Sequence, residues 1–242
     1  MNKVKNIASV IAGGSGKRMG LDIPKQFVNV NEKPVIIWTL ETFQNHPMID
    51  SIEVVCIKGW EKILKKYCEQ FEIKKLKWIV EGGETGQESI RNGVYNLIEK
   101  IDDNDNVIIH DGVRPMLDEE ILSDVIIKCN QYGNGVSSMP YNEQIFIKDD
   151  EISTTKYIPR ETLRRVVTPQ AYKFKKLNDA YHKAFEENIG ISGSSYTNTM
   201  MVELGEKLYF AAGSDKNLKL TTIDNLNMFK AMLDVENNKK IK

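Results

Sequence analysis

The first half of the chain alternates between short apolar runs and longer segments whose apolar residues have helical spacing. The apolar runs predict four β-strands: Ile7–Ala12, Ser51–Ile57, Lys77–Val80 and Asn106–His110. The segments that follow these runs predict four α-helices: Val35–His46, Trp60–Phe71, Glu88–Glu99 and Glu119–Cys129. Strands that alternate with helices are typical of an α/β, Rossmann-like fold with a mostly parallel sheet covered on both faces. Ligands of such sheets bind at the carboxyl ends of the strands.

The first three predicted helices each present one apolar face, which we expect to pack against the sheet. The residues on these faces are Ile36, Ile37, Leu40 and Phe43, then Ile63, Leu64, Tyr67 and Phe71, then Ile90, Val94, Leu97 and Ile98. Later in the chain the same reasoning predicts helices over Lys175–Glu187, Thr197–Leu204 and Asp224–Leu233, and a strand over Lys207–Ala211. We therefore predict one domain over residues 1–242.

The alternation is interrupted after Pro140. Between Tyr141 and Tyr157 the segment is short and polar, with Ile145, Ile147 and Ile152 set among charged residues. This pattern predicts a hairpin-like excursion, and a two-stranded hairpin is too thin to be stable by itself. We expect it to pack on another surface, with a second subunit as the natural candidate. An ordinary surface loop is the alternative.

Composition narrows the class of protein. Lys and Arg number 33 against 34 Asp and Glu, which argues against a general nucleic-acid-binding protein. No apolar run is long enough to cross a membrane, and the first residues do not resemble a signal peptide. Three widely spaced cysteines, Cys56, Cys68 and Cys129, suggest neither disulfides nor a zinc site, but buried thiols of a cytoplasmic protein.

A glycine-rich loop follows the first predicted strand, with the sequence Ala12-Gly13-Gly14-Ser15-Gly16 and then Lys17-Arg18. It is not a P-loop, because Ile11 and Arg18 stand where a glycine and a Ser or Thr are needed. It is not a dinucleotide fingerprint either, because Met19 replaces the third glycine. Backbone amides beside two cations, Arg18 and Lys25, are suited to a polyphosphate. A mobile surface loop with solvated side chains is the alternative.

Five motifs in order resemble the 2-C-methyl-D-erythritol 4-phosphate cytidylyltransferase family, which includes the ribitol-5-phosphate cytidylyltransferases. They are the glycine loop ending at Arg18 with Pro24-Lys25-Gln26, Gly82-Gly83-Glu84 with Ser89, His110-Asp111 with Arg114-Pro115, Arg160 with Thr168-Pro169-Gln170, and Asn217-Leu218-Lys219. The resemblance extends along nearly the whole chain. It implies a cytidylyltransferase that moves CMP from CTP to a polyol phosphate and releases pyrophosphate.

The resemblance also implies roles for individual residues. Those expected to be catalytic, by holding the triphosphate, are Arg18, Lys25 and Lys219. Those expected to bind the nucleotide are Ala12, Gly13, Gly14, Ser15, Gly16, Gly83, Glu84, Ser89 and Asp111. Those expected to bind the polyol phosphate are Asp111, Arg160, Thr168 and Thr197. Magnesium is expected to be held mainly by the CTP phosphates, with no dedicated protein ligand. The segment of about residues 139–160 resembles an arm that joins a homodimer.

The chemistry agrees with these roles. A phosphate monoester is already largely a dianion at neutral pH, so it needs no general base, and catalysis rests on positioning and fixed cations. His110 accordingly fits a packed structural residue better than a catalytic one.

Departures from the family pattern lie on the acceptor side: Asn198 stands where an aspartate is common, and Glu143-Gln144 replaces Asp-Thr in the arm. We therefore favour a sugar-alcohol phosphate such as ribitol 5-phosphate over methylerythritol phosphate. A non-catalytic nucleotide-binding protein and a nucleotidyltransferase for another base or sugar are further alternatives.

Overall fold

The computed structural model describes residues 3–16, 20, 22–193 and 196–240, and it contains a seven-stranded sheet. Its strands are β1 (Asn6–Ala12), β4 (Ser51–Cys56), β5 (Leu76–Glu81), β6 (Asn106–Asp111), β7 (Asn134–Pro140), β10 (Arg164–Lys173) and β11 (Phe210–Ala211). Two small hairpins pair β2 (Asn29–Val30) with β3 (Lys33–Pro34), and β8 (Ile145–Ile147) with β9 (Lys156–Ile158). The strand order in the large sheet is β11-β7-β10-β6-β1-β4-β5.

Only β10 runs against the other strands of this sheet. It pairs antiparallel with both β6 and β7, while the remaining pairs are parallel. The reversal has a simple cause, because the chain leaves the sheet at the end of β7, makes the excursion, and re-enters beside the strand that it left. The predicted α/β fold with a mostly parallel sheet is confirmed.

The described residues form seven α-helices, of which the first six cover the sheet. They are α1 (Val35–Asn45), α2 (Glu61–Gln70), α3 (Gly86–Asn96), α4 (Glu119–Tyr132), α5 (Phe174–Glu187), α6 (Thr197–Glu203) and α7 (Ile223–Lys240). The alternation of side chains along β1 divides the core. Ala8 and Val10 face the layer of α1, α2 and α4, while Ile7 faces the layer of α3, α5 and α6. No helix in the described part of the chain is long and apolar enough to span a membrane.

Several details differ from the sequence-based predictions. Ile63 and Ile98 are exposed, because Ile63 lies at the edge of the apolar face of α2 and Ile98 lies beyond the end of α3. Cys68 instead occupies an inward position of α2. The predicted strand Lys207–Ala211 is reduced to β11. The strands β7 and β10 were not predicted. The three cysteines are buried free thiols, as expected. One domain over residues 1–242 stays a prediction.

The excursion is a hairpin, with Ile145 opposite Ile158 and Phe146 opposite Tyr157. We call residues 141–163 the arm. Its apolar side chains point outward, with Phe146 60% and Tyr157 64% exposed and Ile152 97% exposed. Burying so much apolar surface would be favourable, so the arm presents a surface suited to a partner.

One carboxylate is buried beneath α3. Glu53 of β4 accepts hydrogen bonds from Ser9 Oγ and Asn96 Nδ2, both at 2.8 Å. Burial raises the pKa of Glu53 to about 7, and the two hydrogen bonds and Lys100 offset only part of that rise. Near neutral pH the folded chain therefore holds a proton that the unfolded chain has released.

We expect Glu53→Gln to gain stability relative to the wild type as pH rises from about 4.5 to 8. Between the unfolded and folded pKa values the unfolded state binds fewer protons, so wild-type stability falls with pH, by on the order of 3 kcal/mol in total. A glutamine has no such proton to lose. Denaturant unfolding of both proteins at pH 5, 6, 7 and 8 measures the difference, with the exposed Glu69→Gln as control. A difference that does not change with pH would contradict the expectation.

Candidate active site

A cavity of about 340 Å³ opens where β1 and β6 end. The two strands are parallel neighbours, so their carboxyl ends meet at the same edge of the sheet, where ligands bind in such folds. The lining residues include Ala12, Gly14, Lys25, Gln26, Gly86, Ile90, Asp111, Arg114, Thr168, Tyr196, Thr197, Asn198 and Lys219. Two of the three predicted catalytic cations, Lys25 and Lys219, therefore share one cavity, although they are far apart in the sequence. The third, Arg18, lies outside the described residues.

The glycine loop is fastened to the segment that carries Lys25. Gln26 is buried, and its Nε2 donates to the carbonyl oxygens of Ala12 at 2.7 Å and Gly14 at 3.0 Å. Gly16 has φ +71°, and a Cβ there would lie 3.0 Å from Lys25 atoms, so only glycine fits comfortably. The family resemblance implies no separate role for Gln26. Ser15 is exposed beside this contact and does not line the cavity.

The turn at Gly82 and Gly83 lies against the glycine loop at Gly13. A Cβ on Gly13 would lie 3.0 Å from Ser89 Oγ, and one on Gly83 would overlap Glu88 at 2.3 Å. Ser89 braces this turn, because its Oγ accepts from the Gly83 N–H at 3.0 Å and donates to the Thr85 carbonyl oxygen at 2.9 Å. The predicted cytosine-binding turn thus lies against the predicted phosphate loop. The side chain of Glu84 is exposed and does not line the cavity.

Asp111 forms the charged centre of the cavity. Its Oδ1 accepts from Lys219 Nζ at 2.9 Å, and its Oδ2 accepts from Arg114 Nε at 2.8 Å. Burial alone would raise the pKa of Asp111, but the two cations outweigh it and hold that pKa well below its usual range. The site therefore keeps a permanent negative charge that fixes two positive ones.

Thr168 and Asn217 close a ring around this centre. The antiparallel pairing of β10 with β6 reaches Gln170 and Ile109, and just beyond it the Asp111 N–H donates to Thr168 Oγ1 at 3.3 Å. Asn217 Nδ2 donates to the Thr168 carbonyl oxygen at 2.6 Å, and Arg114 Nη1 donates to the Asn217 carbonyl oxygen at 2.7 Å. Asn217 belongs to the last of the five motifs, but the resemblance implies no role for it. The structure shows it to be a positioning residue for Thr168 and Arg114.

His110 precedes Asp111 but does not reach the cavity. It is fully buried, its Nε2 donates to the Arg114 carbonyl oxygen at 3.2 Å, and its ring packs on Phe43. Burial lowers the pKa of His110 to about 4, so the imidazole is neutral at physiological pH. The expectation of a packed structural histidine is confirmed.

The start of α6 forms the wall of the cavity beside Lys219. The Tyr196 ring lies 5.8 Å from Lys219 Nζ, and the next two residues, Thr197 and Asn198, also line the cavity. Thr197 is buried, and its hydroxyl is 2.8 Å from Tyr181 Oη.

Arg160 is the predicted substrate residue that the fold keeps out of this cavity. It lies exposed at the base of the arm, where its Nη1 donates to the Asn142 carbonyl oxygen at 3.1 Å. Its assignment to a substrate site stays a prediction, and it would require the arm of a second copy.

Residues 7–235 match the 2-C-methyl-D-erythritol 4-phosphate cytidylyltransferase (IspD) family. The chain belongs to this family. A ribitol-5-phosphate cytidylyltransferase of Lacticaseibacillus paracasei is 61% identical over 226 residues, which cover 93% of this chain and 97% of the relative. A protein of the same name from Vibrio parahaemolyticus is 35% identical over 98% of this chain and 99% of its own length.

A 2-C-methyl-D-erythritol 4-phosphate cytidylyltransferase of Clostridium tetani is also 35% identical, over 92% of this chain and 87% of its own. Among solved structures, a 4-diphosphocytidyl-2C-methyl-D-erythritol synthase from Anaerococcus prevotii superposes with a TM-score of 0.81, at 24% identity over 96% of each chain. That likeness supports the fold. Family membership makes the protein a nucleotidyltransferase of the cytidylyltransferase type.

Proposed function

We propose that the protein transfers CMP from CTP to ribitol 5-phosphate and releases pyrophosphate, giving CDP-ribitol. The observation that carries the proposal is the convergence of Lys25 and Lys219 on one cavity beside the glycine loop. An oxygen of the acceptor phosphate attacks the α-phosphorus of CTP and forms a new P–O bond. The bond from that phosphorus to the bridging oxygen breaks, and the electron pair leaves with pyrophosphate.

The proposed roles follow from charge. Two anions must meet, so fixed cations that neutralise the α-phosphate lower the barrier, and Lys25 and Lys219 are those cations here. The acceptor phosphate supplies its own charged oxygen, and His110 is buried away from the cavity, so no base is assigned. The glycine loop, Gly83, Glu84 and Ser89 are proposed to hold the nucleotide, and Asp111 with Thr168 and Thr197 to hold the acceptor.

Magnesium fits this cavity as an ion coordinated mainly by the nucleotide and less by the protein. The described residues contain no group of three or more acidic, histidine or cysteine side chains arranged for a metal. Asp111 lines the cavity, but both of its oxygens already accept from cations. We propose that triphosphate oxygens supply most ligands and that bound magnesium neutralises their charge.

The choice of ribitol 5-phosphate is supported by the relatives. The 61% identical protein carries that name, whereas the quoted relative named for methylerythritol phosphate is 35% identical. We also propose a cytoplasmic location. The three cysteines are free and buried, and disulfides are rare in the cytoplasm.

A pyrophosphate-release assay with CTP and magnesium tests the proposal. The acceptors would be ribitol 5-phosphate, methylerythritol 4-phosphate, arabinitol phosphate, mannitol phosphate and glycerol 3-phosphate, each repeated with UTP and ATP. We expect the highest kcat/KM with ribitol 5-phosphate and CTP. A preference for methylerythritol phosphate would reassign the acceptor, and no turnover with any acceptor would favour a binding protein.

We also propose that the arm joins two copies of the chain. Its exposed apolar side chains, including Phe146, Ile147 and Tyr157, need a cover, and Arg160 at its base does not line the cavity that holds Asp111. A second copy would supply both a cover for the arm and a cavity for Arg160.

We expect the wild type to be a dimer with twice the mass of one chain. The double variant Phe146→Ser and Ile147→Ser is expected to be a monomer of about 27.7 kDa. Loss of the apolar cover weakens association, and the variant should lose at least about tenfold in kcat/KM for the acceptor if Arg160 serves the partner's cavity. Light scattering after gel filtration gives the mass. Ile127→Ser, on an exposed part of α4, is the matched control. A variant that stays dimeric would remove the arm from the interface.

A further inference from the structure

Two neighbouring residues at the start of α6 line the cavity, and one of them lacks a hydrogen-bond partner. The Oδ1 of Asn198 is buried and accepts no hydrogen bond within the described residues. Buried acceptors are usually paired, so an unpaired one on a residue that lines a ligand cavity points to a partner that the ligand supplies.

Thr197 presents a second acceptor, as its contacts show. Gln87 Nε2 donates to the Gly190 carbonyl oxygen at 2.6 Å, which leaves Gln87 Oε1 to accept from Tyr181 Oη at 3.0 Å. Tyr181 has one hydroxyl proton, so its oxygen accepts from the Thr197 hydroxyl at 2.8 Å. The proton of Thr197 is thus used, and its lone pairs remain for a ligand.

Two adjacent acceptors select a donor. A phosphate dianion has no proton to donate, whereas a polyol hydroxyl has one. The wall also lies beside the reacting region, because Tyr196 precedes it and its ring lies near Lys219 Nζ. A molecule held at Asn198 is therefore close to the proposed catalytic cation.

We propose that Asn198 determines acceptor specificity: its Oδ1 accepts a hydrogen bond from a hydroxyl on the carbon chain of the polyol phosphate, beside a second acceptor at Thr197. This inference rests on the proposed function and extends it to the part of the acceptor that does not react. A site that hydrogen-bonds a hydroxyl discriminates strongly against ligands that lack it.

The test compares Asn198→Ala with the wild type. We expect the KM for ribitol 5-phosphate to rise about 10- to 100-fold and the KM for CTP to change less than about twofold. Calorimetry should show the same selective loss for CDP-ribitol against CTP. Asn198→Asp keeps an oxygen acceptor and should recover at least part of the affinity. Asn178→Ala is the matched control, because Asn178 also has a buried, unpaired Oδ1 but lies outside the cavity.

The outcomes separate the two proposals. If the wild type turns over ribitol 5-phosphate but Asn198→Ala has an unchanged acceptor KM, the inference fails and the function stands. Equal losses for CTP and acceptor, or an aspartate variant as poor as the alanine one, also overturn the inference. If the wild type turns over no polyol phosphate, both proposals fail.

Discussion

Lys219→Ala is expected to lower kcat for cytidylyl transfer by about 100- to 1,000-fold, with a smaller change in the KM for CTP. The lysine Nζ lies 2.9 Å from Asp111 and 5.8 Å from the Tyr196 ring, so it is held in place before any substrate arrives. A cation that is already oriented needs no reorganisation when negative charge develops at the α-phosphorus. Its loss should therefore affect the transition state more than the bound nucleotide.

Steady-state pyrophosphate release with CTP and ribitol 5-phosphate measures this effect. Lys216→Ala is the matched control, because Lys216 is an exposed lysine in the same loop that does not line the cavity. A Lys219→Ala enzyme within about threefold of wild-type kcat would remove this residue from catalysis. A fall of 100-fold in Lys216→Ala would show instead that the loop as a whole was disturbed.

Asp111→Asn is expected to lower kcat/KM by about 100-fold and the free energy of unfolding by about 2 kcal/mol. Each carboxylate oxygen accepts from a cation, Lys219 on one side and Arg114 on the other. An asparagine offers one acceptor oxygen and turns its NH₂ towards a positive charge. Both cations then lose their fixed position, and part of their buried charge is left without compensation.

The pH dependence of the Asp111→Asn effect follows from the depressed pKa of Asp111. The carboxylate stabilises the folded chain fully above its unfolded pKa of about 4, and that contribution is lost only as pH falls towards the lower folded value. The stability difference between variant and wild type should therefore be constant from pH 5 to 8 and shrink in acid. Chemical unfolding of both proteins from pH 8 down into the acid range measures this stability difference, with the exposed Asp103→Asn as control. A difference that disappears near neutral pH would contradict the assignment.

The sequence predicted those parts of the fold where local pattern and final environment agree. The strands β1, β4, β5 and β6 are short, mostly apolar runs, and the helices between them have clear helical spacing. The apolar pattern of β7 and β10 is interrupted, which is why neither strand was predicted. The interruptions are the buried polar residues Asn134, Ser137 and Ser138 in β7, and the half-buried Thr168 with Pro169 and the buried Gln170 in β10. Those polar groups are satisfied by partners distant in sequence, such as the bonds of Asn134 to Lys207 and Tyr209.

The candidate site likewise contains residues that the sequence predicted and residues that it did not. Motif resemblance pointed to Lys25, Asp111 and Lys219, and the fold places all three on one cavity. The residues that orient them were missed, because Gln26 and Asn217 act through backbone carbonyl oxygens whose positions only the folded chain defines. Asn198 was noticed only as a departure from a pattern. Its significance came from an acceptor left without a partner.

The reversed strand β10 has a mechanical consequence. Its first residue pairs with the last residue of β7, so both ends of the arm are anchored in adjacent strands of the central sheet. Four residues further along, the same strand delivers Thr168 to Asp111. Tension or rotation applied to the arm by an associated copy would act along this single backbone segment on the contact between Thr168 and Asp111. Association of two copies would thereby be coupled to turnover through β10.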